Sequence, residues 1–305
     1  MRIGTMSNAI NEGTIDDIVD EARAAKEAGL HTFWSSQIFG HDALTALAIV
    51  GREVPGIELG TAVVPTYPRH PWVMAQQALS TIAAINSRGD GGLCLGIGLS
   101  HKIVVESMWG LSYAKPVRHL REYLSVLMPL LEGQPVGFEG EEFRVHGGIA
   151  AAGSSRPTVV VAALGPQMLR VTGELADGTS TWCVGPKTLR ELTIPTLRQA
   201  AADAGRPAPR VVCALPIAVT DDIDGARKRA AQVFAVYDTL PSYKTMMDRE
   251  GVDGPGGIAI VGSEAEVRDQ VNELEAMGVT DFNAGVFTSD PEEVARTRSV
   301  LQDWL

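Results

Sequence analysis

Two rhythms of hydrophobic positions alternate along this chain. Short apolar runs occur at Arg2–Met6, Leu30–Ser35, Ile57–Val64, Leu93–Ile97, Thr158–Ala163, Gly178–Val184, Arg210–Val219 and Asp281–Val286. Between them lie longer stretches whose apolar residues recur every three to four positions. The first pattern predicts buried strands, the second amphipathic helices. The segment from Ile57 to His101 shows the alternation most clearly. A strand ends in Pro65, a helix starts at Pro71 and breaks at Asn86–Gly91, and a second strand ends in Gly98-Leu99-Ser100. Two buried strands joined through a helix predict parallel pairing.

Punctuation supports the same division. Thr14, Asp42 and Ser263 stand where a side-chain oxygen caps a helix start. Gly29, Gly205 and Gly278 stand where helices end, and Pro71 and Pro291 suit a first turn, where the missing N–H costs nothing. Eight strand–helix repeats predict an α/β fold, a closed (β/α)8 TIM barrel forming a single domain over residues 1–305. Two stretches fall outside the repeat and are expected as insertions near 133–157 and 237–262. Within the first, Pro135 to Val145 predicts a hairpin; close to the second, Asp221 to Met247 predicts helix broken near Pro241, followed by a flexible glycine-rich connection at Gly251–Gly257. An open doubly wound sheet would call for G-x-G-x-x-G after strand one, and Ser7-Asn8-Ala9-Ile10 has no glycine there.

Charge and composition narrow the partners. Net charge is −11 with the basic residues scattered, so no nucleic-acid surface is expected. No apolar run approaches the roughly 20 residues of a membrane span, and Met1-Arg2-Ile3 enters a strand with no signal-peptide pattern ahead of it. Cys94, Cys183 and Cys213 are odd in number and far apart, which predicts buried free thiols in a reducing cytoplasm rather than a disulfide or metal site.

A barrel places its site at the carboxyl ends of the strands. Those ends hold Ser7 and Asn8, Ser35 to Gln37, Val63 to Thr66, Gly98 to His101, Leu164 and Gly165, Trp182 to Val184, Pro216 and Phe287. There is no H-E-x-x-H and no G-x-S-x-G, so metal-assisted and serine hydrolysis find no support. A site poor in acids and bases but rich in glycine and small residues suits a cofactor that brings its own chemistry. Gly96-Ile97-Gly98 is open to two readings, close strand packing or room for a flat ring. Trp34, Phe39, Trp109, Trp182 and Phe287 would make the pocket aromatic if they face inward.

Gly60–Pro65, Arg69-His70-Pro71, and Arg88 with Leu95–Gly98 resemble the luciferase-like monooxygenase superfamily. Val161–Met168, Glu174–Gly178 and Ile260–Val267 resemble its branch that uses the deazaflavin coenzyme F420. The resemblance spans nearly the whole chain. It implies a non-proline cis peptide at Ala62-Val63, bulging against the flavin ring, and cofactor contacts at Ala62, Val63, Gly98, Ser100, Leu164 and Gly165. Leu164-Gly165-Pro166 matches the segment whose amides hold the cofactor phosphate, in keeping with the N–H groups freed at a strand-to-helix turn. Relatives carry a histidine after strand two and an acid after strand four; here Gln37 and His101 stand in those places. Gln37 cannot take a proton, whereas His101 can act as acid or base or simply cap the next helix. His70 is expected to order the chain, and His41 to be structural or to line the substrate site.

The implied activity is hydride transfer between F420 and an unidentified small organic substrate, by a cytoplasmic enzyme that the resemblance makes a homodimer. The alternatives are an FMN-dependent monooxygenase on the same barrel and a non-catalytic flavin- or deazaflavin-binding member.

Overall fold

The computed structural model describes residues 1–305. Eight parallel strands close into a barrel: β1 (Arg2–Met6), β2 (Thr32–Ser35), β3 (Glu58–Thr61), β4 (Gly92–Gly98), β5 (Thr158–Val161), β6 (Gly178–Trp182), β7 (Arg210–Val219) and β8 (Asp281–Val286). Each pairs with the next, and β8 pairs with β1 through Arg2↔Asp281 and Ile3↔Phe282. The (β/α)8 barrel expected from the repeats is therefore the observed fold.

Helix boundaries follow the capping chemistry. Thr14 and Asp17 exchange hydrogen bonds as a capping box at the start of Ile15–Glu27, and Ser263 with Glu266 does the same for Glu264–Met277. Asp42 accepts from the Thr45 amide at 2.9 Å and opens Ala43–Glu53. Gly278 ends its helix at φ +105°, where a side chain would be strained.

Several expected elements are shorter or more broken than their sequence pattern. Ile57–Val64 is not one strand. β3 stops at Thr61, and only Val64–Pro65 rejoins β4. The stretch after His101 holds a π-helical turn at Val104–Met108 before helix Pro116–Leu131 begins. Pro186–Ala204 is interrupted by a π-helical turn at Leu189–Thr193, followed by helix Ile194–Asp203. Residues 136–147 form an antiparallel hairpin whose turn is held by Glu122, which accepts from the amides of Glu141, Glu142 and Phe143. Between β7 and β8, helix Ile223–Val233 gives way to a 3-10 turn at Ala235–Thr239 and then helix Pro241–Glu250. The glycine-rich connection contains a further helical turn, Pro255–Ile258, and Ile260–Gly262 pairs with β7.

Packing inside the barrel is set by Trp34. It is fully buried, and its indole donates to Thr32 Oγ1 at 2.8 Å. A Cβ on Gly60 would overlap the indole, and one on Gly4 would overlap Thr32 and crowd the indole nitrogen. These glycines leave the room that a single large ring needs to fill the interior beside Cys94, Val160 and Val212. Below it, at the amino ends of the strands, Arg210 lies 5.9 Å from the ring centroid and pairs with Asp281 at 2.6 Å and Glu58 at 2.7 Å. Arg2 adds a 3.0 Å bond to Glu58. The ion cluster joins four strands across the barrel floor.

Gly60→Ala should therefore destabilise the fold by about 1–3 kcal/mol through overpacking. Combining it with Trp34→Phe should recover part of that loss in a denaturant double-mutant cycle. Simple additivity would show that the indole does not press on Gly60.

Candidate functional site

The mouth of the barrel begins where β3 leaves β4. Gly60 pairs with Cys94 and Val64 with Ile97, so four steps on one strand match three on the other, and the extra residue forms a bulge. Thr61 replaces the lost ladder: its hydroxyl donates to the Gly96 carbonyl at 2.7 Å and accepts from the Gly96 amide at 2.8 Å. The Ala62-Val63 peptide in this bulge is cis. The bulge also explains Gly96-Ile97-Gly98. A Cβ on Gly98 would meet Val63 Cγ2 at 2.7 Å and Ala162 at 3.2 Å, and one on Gly96 would overlap the Thr61 carbonyl. Of the two readings of these glycines, strand packing accounts for the space they leave. Ala62 sits half-buried on top of the interior cluster around Trp34.

Beyond β4, Ser100 has φ +62°, and its carbonyl accepts from Tyr113 Oη at 3.4 Å. His101 follows, half-buried, with its carbonyl accepting from Val105 N and its ring nitrogens unengaged by the chain. Its ring lies 5.7 Å from that of Tyr243, and burial pushes its pKa down. Gln37 is half-buried, and its carbonyl oxygen accepts from Ala43 N at 3.1 Å. That bond ties it to the start of Ala43–Glu53 while leaving its NH2 group free.

The turn after β5 leaves backbone donors open. Gly165 caps helix Pro166–Leu175 with no side-chain bond, and the N–H groups of Gly165, Gln167 and Met168 have no acceptor in the chain. Three unpaired amides at the positive end of a helix form a ready anion cradle. Gly165 itself is unstrained, with φ −85° and ψ 156°, and a Cβ there would meet nothing within 4 Å. Leu164, beside it, is half-buried.

The aromatic lining differs from the sequence expectation. Trp34 is sealed inside the barrel, and Phe39 is 67 % exposed to solvent and packs in no aromatic cluster. Trp182 instead meets Phe234 at 5.3 Å and Tyr237 at 6.0 Å, Tyr237 meets Tyr243 at 4.8 Å, and Phe287 meets Phe234 at 6.1 Å. Phe234, Tyr237 and Tyr243 come from the connection between β7 and β8. Three aromatics within ten residues, in a chain only 6 % aromatic, was the available signal. Glu250 fastens their segment to the barrel by accepting from the amides of Lys187 at 3.1 Å and Thr188 at 2.6 Å.

Other polar groups near the mouth are committed to structure. Glu21 accepts from Ser7 Oγ and from the amides of Asn8 and Ala9. Arg69 pairs with Asp42, His70 accepts from Trp72 N at 3.3 Å, and His41 bonds the Gly13 carbonyl at 3.0 Å. His119 bonds Thr66 Oγ1 at 3.0 Å and stacks on Tyr67 at 4.0 Å; burial, opposed by Glu122, lowers its pKa to about 4. No group of histidine, cysteine or carboxylate side chains is arranged to hold a metal ion, and all three cysteines are free and buried. No helix is long and apolar enough to cross a membrane.

The chain is thus a (β/α)8 barrel whose carboxyl mouth carries a set of open backbone amides after β5. The family model described as luciferase-like monooxygenase matches residues 1–281, and the chain belongs to that family. It is 27 % identical over 296 residues to the 5,10-methylenetetrahydromethanopterin reductase of Archaeoglobus fulgidus, covering 86 % of this chain and 87 % of that one. Its fold superimposes on the coenzyme F420-dependent tetrahydromethanopterin reductase of Methanopyrus kandleri with a TM-score of 0.79 at 20 % identity, covering 99 % of this chain and 96 % of that one. It also superimposes on the FMN-bound oxygenating constituent of 3,6-diketocamphane monooxygenase from Pseudomonas putida, with a TM-score of 0.76 at 16 % identity and coverage of 99 % and 96 %.

The His119 environment carries a pH signature. Above pH 6.5 the ring is neutral whether folded or not. As pH falls toward about 4, the unfolded chain takes up a proton that the folded ring refuses, so stability is lost. The loss should approach roughly 3 kcal/mol, and His119→Phe should remove it, seen as a flatter curve of unfolding free energy between pH 6.5 and 4. Parallel curves for the two proteins would exclude the ring as its source.

Proposed function

We propose that this protein is an F420-dependent oxidoreductase that moves a hydride between the deazaflavin and a small organic substrate. The observation that carries the reading is the set of unpaired amides at Gly165, Gln167 and Met168, which fit the phosphate of such a cofactor at a barrel mouth otherwise short of ionisable groups. The full-length relation to a methylenetetrahydromethanopterin reductase supports the same chemistry. When bound, the deazaflavin supplies a two-electron hydride carrier at its C5.

The residues of the chain have separate tasks. The amides of the 165–168 turn bind the anion. The Ala62–Val63 bulge and Gly98, held rigid by Thr61, support the ring from β3 and β4. Leu164 and Ser100 flank it. The Gln37 NH2 group orients a ligand oxygen without exchanging a proton. His101, kept neutral by burial, accepts a proton from a substrate hydroxyl or returns one to a substrate anion. Phe234, Tyr237 and Tyr243 exclude water from one side. The fold likeness to an FMN-bound monooxygenase keeps FMN as the second reading.

Titration separates the two. F420 should bind at micromolar concentration or tighter and FMN more weakly; the reverse order would replace this reading with the monooxygenase. Gly165→Val should leave the melting temperature unchanged, since its turn is unstrained and the new side chain enters open space, yet weaken F420 binding at least about tenfold by standing before the amides. Unchanged affinity would move the phosphate elsewhere.

Turnover tests the proton step. His101→Ala should lower kcat at least roughly tenfold and abolish an acid limb that lies below pH 6.5 in the native enzyme. Gln37→Ala should act on KM or cofactor affinity instead. Near-native turnover and an unchanged pH profile in His101→Ala would remove the histidine from the mechanism.

A further inference from the structure

Asn283 is fully buried on β8, and neither its amide oxygen nor its amide nitrogen has a hydrogen-bond partner in the chain. It points into the barrel. Asp281, two residues before it, joins the floor cluster, while Phe282 and Ala284 face the helices. Its strand neighbours at the same level are Gly4 and Ala214, neither of which brings a polar side chain to it. A buried carboxamide left wholly unpaired is costly, and natural proteins seldom leave one without a use.

A second donor lies toward the mouth. Trp182 Nε1 is buried and makes no hydrogen bond of normal length, the hydroxyl of Tyr237 being the one polar group of the chain it faces. The indole reaches from β6 across β7 to β8, where a Cβ on Gly285 would meet its six-membered ring at 3.0 Å. Gly285 is the next inward position above Asn283, so the indole edge separates the carboxamide from the mouth. Together these groups offer three N–H bonds on two nitrogens and one carbonyl acceptor beneath the aromatic wall of Phe234 and Tyr237.

We propose that Asn283 and Trp182 Nε1 form a polar floor to the ligand site, reached when the Trp182 indole tilts aside. The floor recognises an uncharged lactam or carboxamide edge, which offers an acceptor and a donor side by side. A carboxylate or phosphate would leave the Asn283 carbonyl facing an anion. Two molecules could present such an edge, the ring of the cofactor or a ring-bearing substrate. The cofactor alternative rests on the proposed F420 chemistry; the floor itself does not.

Asn283→Leu replaces the amide with an apolar group of similar shape, and Asn283→Ala gives a second variant should the leucine not fit. With no ligand, the melting temperature of Asn283→Leu should equal or exceed that of the native protein. A fall of about 5 °C or more, also seen in Asn283→Ala, would mean the amide is already hydrogen-bonded within the barrel and would overturn the proposal. F420 fluorescence titration and, on the F420-mixed protein, titration with 6,7-dimethyltetrahydropterin as a free lactam probe then locate the ligand. A loss of F420 affinity of about tenfold assigns the floor to the cofactor ring; a similar loss for the pterin alone assigns it to substrate. If both ligands behave identically toward native and variant proteins, the floor binds neither and the proposal fails. Failure of the native protein to bind F420 would overturn the F420 reading and leave the pterin arm to decide the floor.

Discussion

One indole fixes the depth of this barrel. Trp34 occupies the interior that several aliphatic side chains would otherwise share, and it can do so because Gly4 and Gly60 present no Cβ on the strands beside it. The ring rests above the Arg2–Glu58–Arg210–Asp281 cluster, and its N–H is satisfied by Thr32. Packing is therefore complete up to the level of Trp34. Above it toward the mouth, Ala62, Ala162, Ala214 and Gly285 add little bulk, and the Trp182 indole lies over the last of them. On the proposed reading, the ligand sits above layers that are already full.

The loops around that room are held in one recurring way. Glu21 after β1, Asp42 after β2, Glu122 under the hairpin and Glu250 beside β6 each accept two or more donors from backbone or neighbouring side chains. A carboxylate that gathers amides in this way replaces the partners a loop would lose on leaving the sheet. The same bonds engage charges that would otherwise stand free near the mouth. The turn after β5 has no such carboxylate: its helix start is capped by glycine and its amides are left open. Those open amides are what give that turn its meaning on the proposed reading.

Much of this arrangement was legible in the residues because the forces are local. Apolar runs bounded by turn residues marked all eight barrel strands, and Thr14, Asp42 and Ser263 marked helix starts through side-chain oxygens that act within three residues. What stayed hidden depends on register or on contacts distant in sequence. Ile57–Val64 reads as one apolar strand because hydrophobicity does not record a one-residue bulge against a neighbour. Phe33 and Trp34 are both buried, one under the helices and one in the interior, and a strand covered on both faces shows no alternation that would tell them apart. The sequence also does not show that Gly165 has an ordinary backbone and that what it provides is open space.

On the proposed reading the site divides its labour between two parts of the chain. Its anion cradle, bulge and glycines belong to β3, β4 and the turn after β5, where they are fixed by strand pairing. Its aromatic side comes from Phe234, Tyr237 and Tyr243, carried on a segment between β7 and β8 that Glu250 anchors to the turn after β6. Substitutions in that segment can alter the shape offered to a substrate without disturbing the ladder that holds the rest. Trp182 lies at the seam, fixed by its backbone to β6 and packed by its ring against the added aromatics. His101 meets the same segment through Tyr243. On the proposed reading, a change at Tyr243 would therefore alter both the burial of His101 and the aromatic side of the pocket.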